Sequence, residues 1–186
     1  MDDLRDSPAR GFDDAMMRLG RAGARITRFQ APEVIESLTL AGFLFSAEAY
    51  GIWSKTIEAA PDKMFPRILD RFRTGGAVKA MDFVAGWRRL RALRGIYAHS
   101  TAPFDAVLVP TSPIMPPHAD RLMTDDKYYV AENLLALRNT RIGNLMDQCV
   151  LTLPTSQPSC GLSIMCPPGA EERLLRIGMA AETALG

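Results

Sequence analysis

The chain has 186 residues and a mass of 20.4 kDa, with 47% apolar and 23% charged residues. Those proportions belong to an ordinary globular protein and exclude a disordered chain, a collagen or a coiled-coil rod. With 22 basic and 21 acidic residues the net charge is +1, so no global field draws nucleic acid or an anionic membrane.

A chain of this length buries roughly 70% of its unfolded surface and is most economically one domain without a disulfide or metal staple. The three cysteines, Cys149, Cys160 and Cys166, are odd in number and irregular in spacing. That usage fits a reducing cytoplasm better than a disulfide framework. The acidic start, Asp2 to Asp6, is no secretory signal. No run approaches ~18 apolar residues, so no membrane span is expected.

Ser7-Pro8 reads as a helix start with Ser7 as N-cap. Phe12, Ala15, Met16, Leu19 and Ala22 continue at helical spacing until Gly23. The alternation of residues 24–29 then predicts a short strand. Pro32 opens a second helix, expected to run to about Lys55, with Val34, Ile35, Leu38, Ala41, Phe45 and Ala49 along it. After Pro61 and Pro66 a short helix carries Ile68, Leu69 and Phe72 and closes at Gly75-Gly76. A longer helix is expected from Val78 to about Ser100, with Ala80, Val84, Trp87, Leu90 and Tyr97 as its apolar side.

Residues 104–109 form the best strand pattern, stopped by Pro110-Thr111-Ser112-Pro113. The Pro-rich stretch to Asp126 reads as a long connection, and long connections tend to be functional. A helix is expected from Tyr128 to about Ile142, strands over 149–153 and 161–166, and a last helix over 171–185. The strands on either side of the long connection are expected to share one sheet.

Composition and spacing supply no complete catalytic set. The two histidines, His99 and His118, are far apart, and no CxxC or HxxxH spacing exists, so no metal site is expected. Thr74-Gly75-Gly76-Ala77 lacks the phosphate-loop patterns and reads as a turn between helices. Arg88, Arg89, Arg91 and Arg94 cluster near Trp87 and Tyr97, but those aromatics fall at core spacing. The arginines are therefore expected to form a solvated or salt-bridged face, and no nucleic-acid binding is expected. There is no GxSxG elbow and no Ser-x-x-Lys.

Three blocks nevertheless resemble a known family. They are Phe104-Asp105 through Pro113, then Arg138-Asn139-Thr140-Arg141-Ile142-Gly143-Asn144 leading to Leu151-Thr152-Leu153-Pro154, and Gly161 to Met165 leading to the helix with Glu171-Glu172 and Glu182. Residues 12–26, a helix followed by Gly-Ala and a strand pattern, fit the same order. Together they resemble the C-terminal portion of the amidase signature family, with the second block most like its amidase and allophanate hydrolase branches. The resemblance implies an α/β fold, part of a mixed β-sheet flanked by helices, spanning 1–186. It implies cleavage of carboxylic amide C–N bonds outside peptides through a Ser–cis-Ser–Lys triad, with no cofactor.

The family's triad lies in an N-terminal half with no counterpart here, so no catalytic residue carries over and this span alone is expected to be inactive. What the resemblance implies for this region is pocket wall, with Thr111, Ser112, Asn139, Thr140 and Asn144 as candidates. The plainer role for Asn139 and Asn144 is to satisfy buried backbone groups. Ser163 stands where the family usually has proline, residues 156–160 are polar where a glycine is common, and Leu137 stands near an acidic position used for glutamine recognition. That last departure argues against glutamine amidotransfer. The partner implied is a small-molecule amide, given a complementing N-terminal half. The alternative reading is a non-catalytic binding or assembly fragment, or a truncated pseudo-enzyme. Exposed strand edges and a near-neutral charge also predict self-association as a homo-oligomer.

Overall fold

The structure is a computed structural model and describes residues 3–186. In chain order the elements are α1 (Asp6–Arg21), α2 (Pro32–Ala59), α3 (Pro66–Arg73), α4 (Ala80–Thr101), β1 (Val107–Pro110), α5 (Ala119–Thr124), α6 (Asp126–Ala136), α7 (Thr140–Leu145), β2 (Cys149–Pro154), β3 (Gly161–Cys166) and α8 (Glu171–Leu185). They divide into two compact units, residues 31–97 and residues 3–30 with 98–186.

In the second of these units the three strands form an antiparallel sheet in the order β1-β3-β2. Met165 of β3 lies opposite Val107 of β1 and Val150 of β2, and Ser163 lies opposite Val109 and Thr152. Strand alternation therefore puts Leu162, Ile164 and Cys166 on one face and Ser163 and Met165 on the other. α1 and α8 pack on the first face. There Ala15, Leu19, Leu153, Leu162, Ile164, Cys166, Leu174 and Ala181 form the core. Burying a side chain such as Leu162 or Ile164 stabilises by about 1.5–3 kcal/mol. Gly178 sets the spacing, because a Cβ there would lie 2.1 Å from Leu151 Cδ2.

The unit of residues 31–97 is helical. Val34, Ala41 and Leu44 of α2 are buried, as are Leu69 of α3 and Leu90, Leu93 and Tyr97 of α4. The turn after α3 approaches α2 so closely that a Cβ on Gly75 would lie 2.0 Å from the Ser46 carbonyl oxygen. Arg89 pairs with Glu36 at 2.6 Å, and the Arg94 guanidinium lies 5.8 Å over the Trp87 ring.

Several elements differ from the sequence reading. Residues 24–29 form no strand; they are exposed, with no strand beside them, and Phe29 stacks on Phe104 at 5.4 Å. Ser7 lies inside α1 rather than capping it, and its Oγ accepts from Arg10 at 3.1 Å. The long connection contains a helix, α5. The helix expected over 128–142 is two, α6 and α7, broken at 137–139. Ala80 and Val84 are exposed because the buried face of α4 runs through Gly86, Leu90, Leu93 and Tyr97, and Ile35 is exposed because α2 buries Val34, Ser37, Ala41 and Leu44 instead. β2, β3 and α8 fall where their patterns put them. Among the described residues, no helix is long and apolar enough to cross a membrane.

Candidate functional site

The sheet face away from α1 and α8 carries three hydroxyls at one end. Ser163 is at the centre, only 3% exposed. Its Oγ lies 2.8 Å from Thr111 Oγ1 and 3.2 Å from Thr152 Oγ1. The two threonine oxygens are 3.5 Å apart. Thr152 meets Ser163 because the two are register partners, and Thr111 because its amide continues the ladder, donating to the Gly161 carbonyl at 2.8 Å. Gly161 leaves room for this arrangement, since a Cβ there would meet Thr111 Oγ1 at 2.8 Å and Thr152 Cγ2 at 2.9 Å.

Each hydroxyl carries one hydrogen. Thr111 Oγ1 donates to Thr152 Oγ1 in the longest of the three contacts, and in the two shorter ones either oxygen can donate, so the three hydroxyls bond one another and their remaining lone pairs can accept from another group. Ser163 is nearly inaccessible while Thr152 is exposed and Thr111 half-buried, so the two threonines carry the accessible side of the cluster.

Behind Thr111 the backbone is fixed by Asn139. Its Nδ2 donates to the Pro110 carbonyl at 2.7 Å, and the side chain is 3% exposed. Its Oδ1 accepts from Arg138 Nε at 3.3 Å, and Arg138 Nη1 lies 3.5 Å from Asp3 Oδ2. A second tie comes from Arg5. Its amide donates to the Pro113 carbonyl at 2.9 Å, and its guanidinium forks onto Glu132, with one bond of 2.9 Å to Oε2 and a shorter one to Oε1. Glu132 is 4% exposed. The bond to its carboxylate holds the Arg5 guanidinium above its ordinary pKa, against the effect of burial. The turn 110–113 is thus held from α6, from the segment after it and from the N-terminal segment.

Of the five candidates from the sequence, Thr111 lies in the hydroxyl cluster and Asn139 braces the residue before it. Ser112 lies in the same turn, its Oγ accepting from the Ile114 amide at 3.4 Å. Thr140 and Asn144 are exposed on α7, outside the cluster, and the Thr140 hydroxyl donates to the Leu137 carbonyl at 3.0 Å. Thr152, Ser163, Arg5 and Glu132 were not among the candidates. Period-two alternation along β2 and β3 places Thr152 and Ser163 off the core face; no sequence signal links Arg5 to Glu132.

All four lysines are exposed, and none hydrogen-bonds a serine among the described residues. Burial pushes the thiols of Cys160 and Cys166 upward, away from thiolate character. Among the described residues no group of three His, Cys, Asp or Glu side chains is placed to hold a metal ion.

No protein-family model matches the chain. A curated relative does: it is 32% identical over 194 residues, spanning all of this chain, to 2-amino-5-chloromuconic acid deaminase of Comamonas testosteroni. Among solved structures, the allophanate hydrolase of Kluyveromyces lactis matches 97% of the chain at a TM-score of 0.86 and 16% identity. A 6-aminohexanoate cyclic dimer hydrolase matches 98% at 0.82 and 18% identity. A glutamyl-tRNA(Gln) amidotransferase component from Thermotoga maritima matches 97% at 0.64 and 18% identity. These structures define the class: helices on a small antiparallel sheet, as in the C-terminal part of amidase-signature folds. With the curated match over its whole length, the chain is similar to the C-terminal portion of amidase-signature proteins. It spans 41% of the curated relative and 30%, 42% and 39% of the three solved chains.

Proposed function

We propose that the chain is the C-terminal part of a hydrolase that cleaves carboxylic amide C–N bonds in small molecules, with its Ser–cis-Ser–Lys triad on polypeptide outside this span. The observation that carries this reading is the match along the whole chain to a deaminase of which it covers 41%. The exposed lysines, none bonded to a serine among the described residues, are consistent with it. In such a mechanism a serine attacks the amide carbonyl, an acyl-enzyme forms as the amine leaves, and water releases the acid.

The role assigned to this chain is wall and support. The Thr111–Ser163–Thr152 cluster offers hydroxyls to a polar substrate group, with Ser112 beside it. Asn139 and the Arg5–Glu132 pair are positioning residues that hold the 110–113 turn. The compound in the curated relative's name, an amino-substituted chloromuconic acid, is a small polar molecule, which suits such a wall.

The test is an ammonia-release assay on this 186-residue span with small aliphatic and unsaturated amides, beside a fluorophosphonate serine probe. Neither turnover nor labelling is expected. A labelled serine whose mutation abolishes both labelling and turnover overturns the placement of the triad outside the chain.

A further inference from the structure

Two of the three cysteines face each other across the sheet. Cys149, the first residue of β2, is the register partner of Cys166, the last residue of β3. The Thr155 amide donates to the Cys160 carbonyl at 3.1 Å, which marks these two as a hydrogen-bonded pair. Steps of two along the ladder make Cys149 and Cys166 another such pair. In it the Cα atoms lie about 5.5 Å apart, and both side chains leave the same face of the sheet, the one under α8. A disulfide spans Cα separations of about 4.4–6.8 Å. The register therefore supplies the reach, and the Cβ atoms need to draw together by only about 1 Å.

The Cys149 thiol is already turned toward its partner's strand. Its S–H is placed to donate to the carbonyls of Cys166 at 3.4 Å and Pro167 at 3.3 Å, so its sulfur lies over the end of β3. Cys166 is wholly buried and donates to the Asp105 carbonyl at 3.5 Å, whereas Cys149 is half-buried. Burial holds the Cys166 thiol up; the charge of Arg173 on α8 works against it and favours the thiolate. Cys160 stands apart, with its sulfur 3.5 Å from Met115 Sδ. The ladder keeps it about 20 Å from the other two along the strands. One pairing of the three cysteines is within reach of a disulfide.

We infer that Cys149 and Cys166 are a redox-responsive pair, forming a reversible cross-strand disulfide by exchange with a small disulfide such as oxidised glutathione. Cys149, the less buried thiol, enters first. Its thiolate attacks one sulfur of glutathione disulfide, that S–S bond breaks, and one glutathione leaves. Cys166 then attacks the Cys149 sulfur of the mixed disulfide and releases the second glutathione. Two protein thiols become one disulfide, one glutathione disulfide becomes two thiols, and the two cysteine protons pass to the departing glutathiones. Because the Cβ atoms must be drawn in, the bond is readily reduced again, which makes it a switch rather than a permanent staple. The pair lies on the sheet face opposite the hydroxyl cluster, and its chemistry does not depend on where the catalytic triad lies.

The test is incubation of the folded 186-residue chain with glutathione disulfide, followed by an acid quench and peptide mapping by mass spectrometry. A Cys149–Cys166 cross-link is expected, formed without denaturant and reversed by reduced glutathione, with Cys160 left as a free thiol. Cys166→Ala is expected to stop at a glutathione adduct on Cys149. Cys160→Ser is expected to form the cross-link as the unaltered chain does. Circular dichroism checks that both variants are folded, and the cross-link in the unaltered chain decides the matter without them. A chain that stays fully reduced overturns the inference, as does one that links only when unfolded in urea. So does a glutathione adduct on Cys149 that the unaltered chain never converts to the cross-link.

Discussion

Asn139 Nδ2 and the Pro110 carbonyl are 2.7 Å apart, and this buried bond both takes up the carbonyl at the end of β1 and holds the residue before Thr111. A carbonyl at a strand end, next to a proline that cannot donate, would otherwise be left without a partner in a water-poor site.

Asn139→Ala is expected to destabilise the chain by about 1–3 kcal/mol, the cost of an unsatisfied buried acceptor. For a chain of this size that lowers Tm by roughly 2–4 °C per kcal/mol. Asn139→Asp is expected to be worse, because a carboxylate would face the carbonyl oxygen with no donor between them. Urea unfolding of the two variants checks the order, and a neutral Asn139→Ala removes the bracing role.

The Arg5–Glu132 pair joins residues 127 positions apart, with Arg5 49% and Glu132 5% exposed at the side chain. Arg5→Ala leaves the buried carboxylate without its cation. We expect a loss of about 2–3 kcal/mol, below the roughly 3–5 kcal/mol of fully buried pairs because the arginine is half in solvent. Adding Glu132→Gln to Arg5→Ala is expected to recover part of it. A double-mutant cycle by chemical denaturation measures the coupling, and a coupling near zero means the contact is only a surface pair.

Gly178→Ala places a methyl carbon within 2.1 Å of Leu151 Cδ2. The leucine must leave its rotamer or α8 must lift, at a cost of about 1–3 kcal/mol. Pairing the change with Leu151→Ala removes the clash. Unfolding midpoints for the single and double variants decide the matter: the double must lose less than the sum of the singles.

Tyr97 is almost wholly buried, and its phenol is pushed up to about 12, mainly by burial and secondarily by the Glu33 charge. The unfolded phenol titrates near 10, so between these values the folded state keeps its proton while the unfolded state loses it. This contribution is complete below about pH 10 and fades as the pH rises to about 12. Stability should fall in that window by on the order of 2–3 kcal/mol on account of this group. Urea unfolding at about pH 9 and pH 11.5 compares the chain with Tyr97→Phe, whose pH dependence should be flatter. Equal slopes for the two would show that another group governs alkaline unfolding.

Elements that depend on local pattern were legible in the sequence. Pro32 and Pro66 start helices, and β2, β3 and α8 match their apolar runs because each is stopped by proline, glycine or a turn within a few residues. Residues 24–29 misled because alternation describes a strand's faces but supplies no partner. Among the described residues no neighbouring strand takes up their backbone groups, and they remain exposed. Thr111 and Asn139 were reachable through the family-like blocks. Thr152 stood there only as part of a strand, and Ser163 only as a departure from proline.

The sequence by itself determined the fold class of the chain, most of its helices and the places of its three strands, the first of them shifted by a few residues. Tertiary structure decided which polar groups meet. The register of β2 against β3 sets Thr152 beside Ser163, since a slip of one residue would turn either onto the other face. Closure of the chain brings Arg5 to Glu132 and Asn139 to Pro110. Local propensity acts over a few residues, whereas these contacts arise only once distant segments pack around a shared core and must satisfy the polar groups they bury.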